Sequence, residues 1–183
     1  CGTANPCGAA NPCGPYGAAP AIELSAAETN AAYACIKVGL TAGYAKSRLA
    51  FAKAYQHTEQ VNTAPYQSTT HGNRFVNNYS DTAAYRKFEG GGTMPKGTLI
   101  AKDSFIVSSS GSVSGGPLFL MEKMGPGFSD DTGDWRYTMV SSAGKIVGVT
   151  GAEGSDAVQF CADCHAGAED QDYLFFLPEA SRK

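Results

Sequence analysis

Charged side chains make up only 17% of this 183-residue chain, with 14 Lys and Arg against 17 Asp and Glu. No Lys/Arg cluster is present to track a phosphate backbone and no acidic tail closes the chain, which argues against nucleic-acid partners. No apolar run approaches the about twenty residues that a membrane-spanning helix needs. Histidine is sparse, with only His57, His71 and His165, and no Met lies beyond Met139. An initiating Met is missing too, and the first residue is Cys1. What is present is an apolar fraction of 43%, enough for one domain with its own core.

Bacterial lipoproteins begin, after processing, with a cysteine whose thiol carries a diacylglycerol. Residues 1–24 are therefore expected to be an arm tethered to a membrane by a lipid on Cys1, in the periplasm. The segment "CGTANPCGAANPCGPYGAAP" repeats C-G-x-A-N-P and is too rich in Gly and Pro to sustain a helix or a central strand. Cys7 and Cys13 are expected in a disulfide, with each other or with Cys35; a metal site fits the C-x5-C-x5-C spacing less well.

Residues 25–183 form the expected folded domain. Ser25 and Glu28 spell a capping box, and residues 25–56 read as one long helix, bent at Gly39 or Gly43. Ala32, Cys35, Ile36, Leu40 and Gly43 recur at helical spacing and predict its buried face. After Pro65 the texture changes. Residues 74–80, 98–109, 117–124, 135–142 and 145–151 are rich in β-branched and aromatic residues and are separated by Gly, Asp and Ser turns, so five strands are predicted. "SAGK" reads as a hairpin turn, residues 80–92 as a short helix, and 155–165 as a last helical segment. The expected class is α+β: a β-rich antiparallel sheet with a long N-terminal helix and a C-terminal helix.

That last segment holds "QFCADCHAG". Cys161, Cys164 and His165 spell C-x-x-C-H, the attachment signal of a c-type haem. Two thiols at this spacing add to the two haem vinyl groups, and the adjoining imidazole is placed beneath the iron. One covalent haem c is expected, with Cys161 and Cys164 as thioether sites and His165 as the iron ligand. A zinc ribbon would need a second cysteine pair, and a thioredoxin-type motif would sit near the start of a βαβ unit. Ordinary Met-ligated cytochromes send a Met from far downstream, whereas here Met94, Met121, Met124 and Met139 all lie upstream and read as core strand residues. Either His57 or His71 could supply a sixth ligand, but each reads first as a polar loop residue. The iron's other face is thus expected to be open or weakly held. The hairpins after residue 65 exclude a four-helix cytochrome c′.

The runs "HGNRFVNNY", "AAYRKFEGGGTMPKGTLIAKDSF", "GPLFLMEKM", "GFSDDTGDWRYTMV" and "FCADCHAGAEDQDYLFFLP" together resemble the cytochrome P-460 family, which includes the β-sheet cytochromes c′, over about residues 58–180. The resemblance implies a β-rich homodimer with one five-coordinate haem c that either oxidises hydroxylamine or binds NO and related gases. It places Lys102 where the enzymes cross-link a lysine to the haem rim and Arg74 near their distal arginine. It places Phe119 where they carry a distal glutamate; Glu122, three residues on, alternates to the opposite face. Trp135, Phe105, Phe119, Phe175 and Phe176 are the expected haem wall. With an apolar residue in place of the acid, a small-ligand binder or electron carrier with a redox partner protein stands ahead of a hydroxylamine-oxidising enzyme. An accessory subunit of a membrane complex is the third reading.

Overall fold

The computed structural model describes residues 22–81, 83, 85, 91–175, 177 and 181–183. The arm with Cys1, Cys7 and Cys13, most of the helix expected at 80–92, and Phe176 lie outside the described residues. The fold is α+β. Helix α1 (Ala26–Ala45) begins at the predicted capping box: the Ser25 backbone N–H donates to Glu28 Oε2 at 2.8 Å, and Glu28 N–H donates to Ser25 Oγ at 3.3 Å.

The helix does not run on to residue 56 and does not bend at Gly39 or Gly43. It stops at Ala45, passes through Arg48 at φ 63°, and resumes as the short α2 (Ala50–Ala54). Ser47 Oγ donates to the Tyr44 carbonyl at 2.7 Å and accepts from the Leu49 N–H at 3.3 Å, offering the backbone a local alternative to the helical ladder. Ala32, Leu40 and Gly43 are buried as predicted, but Cys35 is exposed and disulfide-bonded, its partner lying outside the described residues.

Eight antiparallel strands follow: β1 (Glu59–Gln60), β2 (Tyr66–Ser68), β3 (Arg74–Ser80), β4 (Leu99–Val107), β5 (Val113–Gly115), β6 (Leu118–Lys123), β7 (Trp135–Val140) and β8 (Ile146–Val149). Their order is β1-β3-β4-β6-β7-β8, with β2 also on β3 and β5 also on β4. The five predicted strands are all present. The hairpin between β7 and β8 turns at "SAGK", with Gly144 at φ 88°. A 3-10 turn (Ser155–Val158) leads into helix α3 (Gln159–His165).

Alternation divides the sheet into two faces. Phe75, Tyr79, Ala101, Phe105, Leu118, Leu120 and Val140 pack against Tyr33, Leu40 and Tyr44 of α1. Phe105 is stacked between Phe75 and Tyr33, so it belongs to this core and not to the opposite face. The opposite face carries Met121, Trp135, Tyr137 and Met139 against Val158, Ala162, Tyr173 and Leu174. Lys102↔Phe119, Phe119↔Met139 and Met121↔Tyr137 are cross-strand pairs on it.

The α1 side encloses one carboxyl. Asp103 accepts from Tyr33 Oη at 2.5 Å, Tyr55 Oη at 2.9 Å and Asn77 Nδ2 at 3.1 Å. Burial raises its pKa from 3.8 to about 6, outweighing those hydrogen bonds and the charge of Lys37, which pull the other way. The folded carboxyl therefore holds its proton more tightly than the unfolded one. Stability should fall as pH rises from about 4 to about 6, by roughly 3 kcal/mol, and then level off. Urea unfolding of wild type and Asp103→Asn across this window checks it: the difference between the two proteins should carry the slope, and equal slopes would show that Asp103 is not its source.

Candidate functional site

Helix α3 is the starting point. Cys161, Cys164 and His165 stand at i, i+3 and i+4, so they share one helix face. All three line a cavity of about 280 Å³ between α3 and the sheet. That is many times the ~30 Å³ of one water, so the space is a site and not a packing defect. Both cysteines are free. Burial, then the neighbouring Cys164, pushes the Cys161 thiol up to about 12. Among the described residues no three His, Cys, Asp or Glu converge as a metal cage.

The state of His165 follows from one hydrogen bond. Its Nδ1 lies 2.6 Å from the Tyr173 carbonyl oxygen. A carbonyl only accepts, so Nδ1 carries the proton and Nε2 keeps its lone pair. That is the form in which imidazole ligates a metal. Burial lowers its pKa to about 4, against the Tyr173 bond, with Lys102 adding to the lowering. Tyr137 and Phe175 flank the ring at 5.3 and 5.5 Å between centroids.

The Tyr173 carbonyl is held by its neighbours. Asp172 and Tyr173 are consecutive left-handed residues, at φ 53° and 62°. The Asp172 carboxylate pairs with Lys123 Nζ and accepts from Met94 N–H at 2.7 Å; its carbonyl accepts from Trp135 Nε1 at 2.8 Å. Lys123 Nζ also donates to the Gly133 carbonyl at 2.7 Å and lies 5.0 Å from the Trp135 ring centroid. Trp135 therefore does not line the cavity; it supports, through Asp172, the residue that orients His165.

The sheet supplies the opposite wall. Lys102, Phe119, Met121 and Tyr137 face the cavity, and Phe175 stands at its rim, 53% exposed. Burial brings the Lys102 ammonium down to about 8, against the attraction of Cys164. Glu122 points to the other face, as alternation predicts, and pairs with Arg136. Arg74 does not line the cavity; it is buried at the start of β3 with its guanidinium close to Gly116 and Ser104. His57 is exposed in a 3-10 turn, whereas His71, read from sequence as a loop residue, lines the cavity and packs edge-on to Phe119 at 5.1 Å. Burial, then Lys102 and His165, lowers its pKa to about 2. Tyr137 Oη and Asn78 Oδ1, also at the cavity, are buried without a hydrogen-bond partner among the described residues.

These features define a β-sheet protein with a largely apolar cavity between one face of its sheet and a short Cys/His-bearing helix. The family model of cytochrome P460 matches residues 52–176, about two thirds of the chain, and the chain belongs to the cytochrome P460 family, whose members bind haem. No curated protein matches it. The residues present fit haem: two free thiols and a bare imidazole nitrogen open on one largely apolar cavity, and Tyr137 Oη there is a polar atom with no partner among the described residues.

Proposed function

We propose that this chain is a single-haem c-type cytochrome that binds small ligands such as NO at an open site opposite His165, passes single electrons to a partner protein, or both. Cys161 and Cys164 would form the thioethers, and His165 Nε2 would ligate the iron. The bound group supplies the redox-active, ligand-binding metal. The chain's own residues do the rest: the Tyr173 carbonyl fixes the His165 tautomer, and Phe119, Met121 and Phe175 exclude water. The observation that carries this reading is the His165–Tyr173 hydrogen bond beside two free thiols on one cavity. The disulfide at Cys35 accords with an oxidising compartment such as the periplasm, and a lipid on Cys1 would keep the protein at a membrane.

Mass spectrometry under denaturing conditions tests it. Protein made in cells that attach haem c should carry the mass of one haem, and Cys161→Ala/Cys164→Ala should lose it completely. An unmodified wild-type mass under those conditions rules the reading out.

A second reading has its own observation. Lys102 faces the same cavity with an amine drawn down to about 8, so it is more available for bonding than a solvated lysine. A Lys102–haem cross-link would accompany hydroxylamine oxidation, and a strongly red-shifted Soret band with a haem-linked Lys102 peptide would mark it.

A further inference from the structure

We infer that His71 is the hydrogen-bonding residue for a small ligand held opposite His165, beside Phe119, which offers no polar atom. The inference rests on the haem reading above. His71 ends the 3-10 turn Thr69–His71, where Gly72 at φ 73° and Asn73 at φ 55° reverse the chain into β3. The ring thereby reaches the cavity and meets the edge of Phe119. Its Nδ1 is tied to Ser68 Oγ at 2.7 Å and lies 3.2 Å from Thr70 Oγ1. Its Nε2 makes no hydrogen bond to any described residue, and the residue lines the cavity.

Two hydroxyls at Nδ1 give this imidazole a property that His165 lacks. A carbonyl permits one tautomer, but a hydroxyl donates or accepts. When Ser68 accepts from Nδ1–H, Nε2 presents a lone pair. When Ser68 donates to Nδ1, Nε2 presents an N–H. The hydroxyl turns to match either tautomer, and the ring proton passes from one nitrogen to the other by exchange with water, so the ring is neutral in both. His71 can thus donate to the outer atom of a bound diatomic or accept from the N–H or O–H of a hydroxylamine-like molecule. The ligand class is therefore small molecules with a polar outer atom, and not apolar gases alone. Lys102, Asn78 and Tyr137 also bring polar atoms to this cavity; His71 is distinguished by a ring packed on Phe119 and a nitrogen that can present either a lone pair or an N–H.

The test uses the haem-loaded protein, its haem content first confirmed by mass. Infrared spectra of the ferrous CO complex should show the C–O stretch move to higher frequency in His71→Leu and return towards the wild-type value in His71→Gln. Equilibrium affinity of the ferric protein for hydroxylamine, without an electron acceptor, should fall roughly tenfold in His71→Leu, the worth of one hydrogen bond. An unchanged CO band in a folded, fully loaded His71→Leu protein overturns the inference and leaves the haem reading intact. So does a six-coordinate ferrous wild type whose sixth ligand disappears in His71→Leu, since His71 would then be an iron ligand. If His71→Leu does not fold, His71→Phe, a ring without a hydrogen-bonding atom, takes its place, and an unchanged CO band there overturns the inference. Absence of attached haem overturns both readings together.

Discussion

Asp172→Ala should destabilise the protein by about 3–5 kcal/mol, the cost of removing one partner of a buried ion pair. The side chains of Lys123 and Asp172 are 6% and 7% exposed. Without the carboxylate, the Lys123 ammonium keeps only the Gly133 carbonyl and the face of Trp135, and the Met94 N–H loses its acceptor. Urea unfolding should show a lower midpoint at unchanged slope. Lys123→Met alone should also be costly, because it strands the carboxylate. The double variant should recover part of the loss, since neither charge is then left alone. Additive losses would mean that the two residues do not act as a pair. The same change should reach the site: with Asp172 released, the Tyr173 carbonyl is free to move and His165 loses the partner that sets its tautomer, so the haem-loaded variant should also shift its reduction potential.

Gly148→Ala should cost up to about 3 kcal/mol and lower the fraction of molecules that carry haem. Gly148 lies in β8, and a Cβ there would sit closer to the Gly154 carbonyl oxygen than Cβ atoms come to any neighbour, with the Gly154 carbonyl carbon at 3.0 Å and Val158 Cγ1 at 3.2 Å. Gly154, at φ 71°, caps the 3-10 turn that leads into α3. Two backbones touch here with no flexible side chain to yield, so the turn itself must move. That turn sets where Cys161, Cys164 and His165 meet the sheet. Urea midpoints and the haem-to-protein ratio check both halves. A stable variant with full haem content would show that α3 is placed by other contacts.

The long strands were legible because alternation and turn residues mark them locally. The strands β1, β2 and β5 have only two or three residues each, too few for a period to register. The helix break is a different case. Lys46, Ser47 and Arg48 carry no breaker, and Gly43, the suspected bend, stays helical with its Cα against the Ser142 backbone. Close approach, and not flexibility, is what that glycine provides. Phe105 was misassigned although the argument applied to Glu122 was available: three residues from Lys102, it had to face the other way. Trp135 reads from sequence as haem wall, but its hydrogen bond goes to Asp172, 37 residues downstream.

The sequence by itself determined the proximal half of the site. Cys161, Cys164 and His165 fall within a little over one helical turn, so local geometry alone puts them on one face. The opposite half is assembled from the turn before β3, from β4 and from β6, segments brought together by strand pairing and core burial. Which side chains face the cavity there is set by register and by the placement of α3. For that reason only the tertiary structure brought His71 to Phe119, withdrew Arg74 and Trp135 from the cavity, and supplied the Lys123–Asp172 pair that positions the carbonyl on His165.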